Sequence, residues 1–203
     1  MGIPIDFGAL PSKAAPSTFQ LKITLVGIEP PIWRRIQVPT SIKLCCLHSA
    51  LQVVMGWTDS HLHQFERNGK NWGVPDNDEF NEFDLIDENT TQLAQVLTSE
   101  GDSLVYHYDF GNDWRHEVVL AKIRPADSTS KHPVCLAGER RCPLEDVGGV
   151  DGYREFLEVV FDPSHEDYEQ LVQWAGGHFV DECDLKAVNK KLSRMRWPVR
   201  DRR

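Results

Sequence analysis

The sequence predicts an α+β fold, with a mainly antiparallel sheet, packed helices and a helical C-terminal part. Strand-like segments dominate the first 125 residues, single short helices interrupt them, and helical patterns follow one another near the C-terminus. The chain has 203 residues and a hydrophobic fraction of 40%, enough for a core without disulfide bonds. We expect a flexible leader at 1–18, a single domain at 19–197 and a basic tail at 198–203.

The first half of the chain alternates between strands and one clear helix. Residues 19–25 and 32–38 have the period-two pattern of half-buried strands. Apolar residues at helical spacing predict a helix over 44–55, which Gly56 ends. The Asn68-Gly69 pair predicts a tight hairpin turn between strands at 61–66 and 70–74.

The second half begins with an acidic segment and ends with helices. Residues 76–88 contain seven acidic residues and no basic one, which predicts an exposed loop. A short helix at 93–97 and a hairpin of strands at 102–110 and 114–123 should follow. Residues 124–150 are typical of a long loop. Three helices are then predicted: at 152–161, from Ser164 onward with a start that resembles a capping box, and at 185–195.

Charge and cysteine content narrow the class of protein. The net charge is −9, yet Lys186–Arg203 contains eight basic residues and one acid. An acidic body repels nucleic acid and anionic membranes, whereas this basic segment could contact phosphates. No segment approaches the ~20 apolar residues needed to cross a bilayer. Five cysteines without a secretory signal predict reduced thiols, so we expect a cytoplasmic protein without membrane association.

Three motifs give the sequence a recognisable signature. They are Gly56-Trp57 with His61-Leu62-His63-x-Phe65, the segment from Tyr108 to His116 (Y-D-F-G-N-D-W-R-H), and the segment from Cys142 to Tyr153 (C-P-L-E-D-V-G-G-x-x-G-Y). Through them the chain resembles the plasmid pRiA4b ORF-3-like family over about residues 19–197. It departs from the family pattern at Asn112, where an acid is usual, and at Leu144, where a proline is usual.

The resemblance implies a protein of plasmids and mobile elements, and it does not name a reaction. It also marks a set of motif residues: Asp109, Phe110, Gly111, Trp114, Gly148, Gly149, Gly152 and Tyr153.

Several residues of these motifs are suited to metal binding. His61 and His63 stand two apart on a predicted strand, which places side chains on one face. Imidazole, thiol and carboxylate groups together are typical ligands of zinc or a similar divalent metal. The candidate ligands are His61, His63, His116, Cys142, Glu145 and Asp146. Asp109 and Asp113 flank the predicted hairpin turn, and folding could bring them to the same site.

Three functional hypotheses follow from these residues. The leading hypothesis is a binding or interaction domain associated with plasmids or mobile elements. Its functional face would be the hairpin at 104–120 and the loop at 135–153, and a protein is a plausible partner for this face. The first alternative is a metal-dependent, zinc-like hydrolase in which Glu145 or Asp146 is the general base. A Cys142–His116 nucleophilic pair is a further possibility. The second alternative is a nucleic-acid accessory protein that uses Lys186–Arg203. No catalytic pattern in the sequence is diagnostic, so whether the chain is an enzyme stays open.

Overall fold

The computed structural model describes residues 17–75, 85–125, 132–195 and 197. In chain order its strands are β1 (Ser17–Leu25), β2 (Trp33–Pro39), β3 (His63–Arg67), β4 (Lys70–Gly73), β5 (Leu85–Asp87), β6 (Ser103–Tyr108), β7 (Trp114–Pro125) and β8 (Val134–Glu139). The helices are α1 (Leu44–Met55), α2 (Leu93–Val96), α3 (Gly149–Val160), α4 (Tyr168–Trp174) and α5 (Leu185–Arg194).

The strands form one mostly antiparallel sheet of order β5-β4-β3-β6-β7-β1-β2-β8. All paired strands are antiparallel except β4 and β5, which are parallel. The β6–β7 hairpin occupies the centre, where β6 also pairs with β3 and β7 also pairs with β1. The prediction of an α+β fold with a mainly antiparallel sheet is therefore confirmed.

One face of the sheet is covered by α1. Along β6 and β7, alternate side chains such as Tyr106, Tyr108, Trp114 and Val118 are buried, and the Tyr106 hydroxyl bonds His48 and Gln52 of this helix. Each large apolar side chain removed from water contributes about 1.5–3 kcal/mol to stability. The positions of these side chains are the ones that the period-two pattern predicts, and the Asn68-Gly69 turn between β3 and β4 also forms as predicted.

The structure corrects two element assignments. Residues 134–139, predicted as loop, form β8 because they pair with β2, about a hundred residues earlier in the chain. The helix expected from Ser164 begins only at Tyr168, because the Ser164 hydroxyl bonds the Asp162 carboxylate in a turn.

One predicted strand also ends earlier than expected. Asp109 has a φ of 56°, which ends β6 and leaves Phe110 46% exposed instead of inside the sheet's buried stripe.

Some predictions fall outside the described residues. Most of the leader at 1–18, the tail at 198–203 and residues 76–84 of the acidic segment lie there. Within the part of the chain that the structure describes, no helix combines the length and apolar character needed to span a membrane.

Candidate functional site

The turn that joins β6 to β7 is organised by Asp109. The Asp109 carboxylate is buried and accepts hydrogen bonds from the Gly111 amide (3.1 Å), the Asn112 amide (3.3 Å) and the Asn112 side chain (2.5 Å). Burial raises the pKa of Asp109, but the Asn112 side chain and the turn amides outweigh it, so the pKa is lower than usual. Asp109 is thus an anion fixed in position, and its own amide donates to the Leu62 carbonyl (2.9 Å), next to His61.

The glycine motif brings a second loop onto this turn. A Cβ at Gly149 would lie 2.9 Å from the Asn112 carbonyl oxygen, and Gly149 has a φ of 70°. A side chain there would therefore push the loop off the hairpin. At Gly152 a Cβ would lie 2.1 Å from the Val147 carbonyl oxygen. The motif glycines are consequently needed for close backbone packing, which places Asp146 beside Asp109.

His61, Asp109 and Asp146 meet at this junction. The His61 Nε2 atom lies 3.1 Å from Asp146 Oδ1 and 3.6 Å from Asp109 Oδ2. The three ligand atoms all lie within 4.8 Å of one another. Within the described residues, Nε2 is buried but makes no hydrogen bond of good geometry. A buried imidazole nitrogen beside two carboxylates is a donor set that suits a divalent ion of the zinc class.

Glu145 supports this junction from one side. Its carboxylate accepts hydrogen bonds from the Tyr108 hydroxyl (2.6 Å), the Thr58 amide (3.2 Å) and the Thr58 hydroxyl. Burial raises the pKa of Glu145, but the hydrogen bonds from the Thr58 and Tyr108 hydroxyl groups have the larger effect, so the pKa is lower than usual. Glu145 therefore fastens the 142–149 loop to the chain that follows α1, with its lone pairs largely engaged.

His63 points to a different cluster. Alternation of side chains along a strand predicted that His61 and His63 lie on one face, but β3 begins only at His63, so His61 is not part of the strand. The His63 Nε2 atom lies 2.9 Å from Glu88 Oε2, and its ring stacks on His48 with the centroids 3.5 Å apart. The predicted pair is thus divided between two clusters.

His48, Asp59 and His63 also bring ligand atoms within 4.8 Å of one another. However, the two imidazole planes are nearly parallel, at 6°. A coordinated metal lies close to the plane of each ring, and two planes about 3.5 Å apart cannot share one ion in this way.

A ring of hydrogen bonds explains His48 better than a metal does. Its Nε2 lies 2.8 Å from Asp59 Oδ1 and its Nδ1 lies 2.8 Å from the Tyr106 hydroxyl. The Gln52 side chain donates to that hydroxyl (3.0 Å) and accepts from the Asp59 amide (2.9 Å). Burial, and then His63, lower the pKa of His48. His48 was not predicted as a site residue, although its place on the apolar face of α1 is a signal that could have identified it.

His116 lies in the core, away from the junction. It is fully buried, its Nδ1 donates to the Tyr106 carbonyl (3.1 Å), and its ring meets Trp57 edge-on at 5.2 Å. Burial lowers the pKa of His116 to about 4. A neutral imidazole in this place is part of the core packing.

Cys142 is also buried elsewhere. Its Sγ accepts a hydrogen bond from Arg34 Nη2 (3.1 Å) and lies 3.5 Å from Met55 Sδ. Burial raises the pKa of the Cys142 thiol to about 12, although Arg34 opposes this. The proposed Cys142–His116 nucleophilic pair does not form, because each side chain is committed to other partners.

Arg34 explains why Cys142 is fixed. The guanidinium is buried and donates to the carbonyl oxygens of Trp33 (2.7 Å), Val54 (2.9 Å), Glu139 (2.7 Å) and Arg140 (2.8 Å), besides the thiol. All five of its N–H groups are therefore used. This network attaches residues 139–142 to α1 and β2, and so sets where the glycine loop starts.

Three other motif residues have packing roles. Trp114 is buried beside Trp57, and the Tyr153 hydroxyl donates to the Arg141 carbonyl (3.3 Å). Phe110 lies over the His107 ring at 4.7 Å.

The basic C-terminal segment is described in part. On α5, Lys186, Lys190, Lys191 and Arg194 are exposed to solvent. Residues 196 and 198–203 lie outside the described residues. The nucleic-acid hypothesis for Lys186–Arg203 therefore stays a prediction.

Comparisons with known proteins give the chain's relatives. A family model described as plasmid pRiA4b ORF-3-like protein matches residues 17–188. The uncharacterized protein y4hQ of Sinorhizobium fredii (strain NBRC 101917 / NGR234) is 36% identical over 191 residues, which is 92% of this chain and 97% of that protein. The crystal structure of MM3350, a protein of unknown function from Methanosarcina mazei Go1, has a TM-score of 0.77 and 39% identity, and the match covers 85% of this chain and 97% of that one.

Proposed function

The chain belongs to the plasmid pRiA4b ORF-3-like family, and from the geometry of the junction we propose that it is a binding domain with a divalent-metal centre. An ion of the zinc class would be held by His61 Nε2, Asp109 Oδ2 and Asp146 Oδ1. The observation that carries the proposal is the buried His61 Nε2 atom, which approaches two carboxylates without a hydrogen bond of good geometry within the described residues.

The backbone of both carboxylate residues supports this proposal. Asp109 and Asp146 have φ values of 56° and 61°, in the left-handed region that most residues avoid. Holding a residue there costs of order 1 kcal/mol or more, and such positions cluster at ligand-binding sites. Here the unusual backbone turns both carboxylates toward one imidazole.

The proposed centre has three protein ligands and one open side. The Asp146 side chain is 71% exposed, whereas that of Asp109 is 7% exposed. A zinc ion with three protein ligands keeps a further position for water or for a ligand. The face formed by the β6–β7 turn and the 142–149 loop would therefore bind a partner or small ligand through the metal.

A metal-dependent hydrolase is the second candidate, because an open position on zinc can activate water. In this version Asp146 is a ligand. Glu145 would then be the remaining candidate base, although its carboxylate already accepts bonds from Thr58 and Tyr108. This arrangement favours metal-mediated binding over hydrolysis.

The test is zinc binding by a matched pair of variants. Asp146 and Asp59 are both exposed, have φ values of 61° and 60°, and belong to the two separate clusters. Asparagine tolerates this backbone, so both Asp146→Asn and Asp59→Asn should fold. Zinc affinity is measured by isothermal titration calorimetry on protein purified without a metal-affinity tag.

We expect about one zinc ion per chain in the wild type, and a loss of affinity of about tenfold or more in Asp146→Asn. The Asp59→Asn variant should bind zinc like the wild type. If the wild type takes up no zinc, or if Asp59→Asn is the weakened variant, the proposal is wrong.

A further inference from the structure

A groove with an apolar floor lies between α3 and α4. It encloses about 500 Å³ and is lined on its apolar side by residues that include Phe156, Leu171 and Trp174. The Phe156 and Trp174 rings meet edge-on with their centroids 5.9 Å apart. This surface is distinct from the junction at His61, although Asp146 stands at the edge of both.

The side of α4 that faces the groove is incompletely covered. All seven residues of this helix are at least partly exposed, and Trp174 is 48% exposed. An amphipathic helix is normally stabilised by burying its apolar stripe. Large exposed apolar groups with a polar rim are typical of a surface that binds another molecule.

The charge around the groove is one-sided. Among the described residues that line it, the charged ones are Asp146, Glu155 and Asp167, all of them acidic. The sequence from 151 to 184 contains ten acidic residues and one basic residue, Arg154, which already bonds Asp151 and the Gly27 carbonyl. Such a field attracts cations and repels nucleic acid.

We propose that the α3–α4 groove binds a cationic peptide segment of a partner protein. A large apolar side chain of the segment packs against the exposed Trp174 ring beside Leu171, and flanking lysine or arginine residues pair with Glu155 and Asp167. Charge complementarity selects the partner, and the apolar contact supplies much of the affinity. This binding uses the groove itself and does not require a metal at His61.

The probe is an eight-residue, fluorescein-labelled peptide of alternating arginine and leucine, titrated by fluorescence anisotropy into the full chain. The buffer contains EDTA and little salt, so that failure of the metal proposal cannot affect the result. Two further peptides separate the contributions of charge and of apolar contact. One alternates arginine with serine, and the other alternates glutamate with leucine.

Matched double variants locate the binding surface. Glu155→Gln with Asp167→Asn removes two charges from the groove, whereas Glu158→Gln with Glu169→Gln removes two exposed charges from α3 and α4 outside it. We expect the groove variant to bind the arginine–leucine peptide about fivefold more weakly and the control variant to change by less than about twofold.

The other peptides should bind far more weakly than the arginine–leucine peptide. Trp174→Ala, checked for folding by circular dichroism, should weaken binding of the arginine–leucine peptide but not of the arginine–serine peptide. Equal effects of the two double variants, equal binding of the arginine–leucine and arginine–serine peptides, or no binding at all would overturn the proposal.

Discussion

His116 should make the protein sensitive to mild acid. Its pKa falls from an ordinary 6.5 to about 4 because the ring is fully buried, and within the described residues Nε2 has no hydrogen-bond partner. The unfolded chain takes up a proton near pH 6.5, whereas the folded chain does so only near pH 4. The stability present above pH 6.5 is therefore lost as the pH falls through this window.

The size of the effect follows from these two pKa values. Each pH unit between them corresponds to about 1.4 kcal/mol. Acidification from pH 7 to pH 4.5 should therefore lower the free energy of unfolding by about 2 kcal/mol through His116 alone. In the variant His116→Gln this contribution is absent, while every other titrating group is retained.

The assay is urea unfolding at pH 7, 5.5 and 4.5, followed by tryptophan fluorescence. His116→Gln is expected to be less stable than the wild type at pH 7 but to lose about 2 kcal/mol less on acidification. His165→Gln, a change of an exposed histidine, should follow the wild type. If wild type and His116→Gln lose the same stability between pH 7 and 4.5, protonation of His116 does not cause the acid sensitivity.

Two further predictions concern how the glycine loop is held. Gly149→Ala should lower the free energy of unfolding by about 1–3 kcal/mol more than Gly176→Ala does, because both glycines have positive φ but only Gly149 lies against the Asn112 carbonyl. Urea titrations of both variants test this prediction, and equal losses of stability would contradict it. Arg34→Met should cost about 3–5 kcal/mol, since four buried or partly buried carbonyl groups and a buried thiol lose their donor. The substitution of its exposed neighbour, Arg35→Met, should cost less than about 1 kcal/mol. Similar melting temperatures for the two arginine variants would show that the buried network is unimportant.

The local features of the fold could be predicted from the sequence. The helix at Leu44–Met55 and the turn at Asn68-Gly69 depend on periodicity and on the backbone freedom of a few residues, which are visible in short windows. The strand at Val134–Glu139 could not be found in this way. It has little alternation of its own and is held by pairing with a distant strand, which no local window contains.

The candidate site was also predictable only in part, because it depends on contacts between residues far apart in the sequence. His61 and Asp146 were predicted as candidate metal ligands from their residue types, and Asp109 was predicted only as a motif carboxylate beside the hairpin turn that folding could bring to them. Its role depends on how two loops meet in space. Cys142 was misplaced because its partner Arg34 lies 108 residues away in sequence. Residue type indicates which chemistry is available, whereas long-range packing decides which side chains share a site.

In the proposed centre, one imidazole and two carboxylates hold a metal ion where the β6–β7 turn meets the 142–149 loop. The most direct measurement is a crystal structure of the zinc-soaked protein with anomalous data collected at the zinc absorption edge. We predict an anomalous peak about 2.0–2.2 Å from His61 Nε2, Asp109 Oδ2 and Asp146 Oδ1. A peak between His48 and His63 instead, or well-ordered His61 and Asp146 side chains with no peak beside them, would rule out this centre.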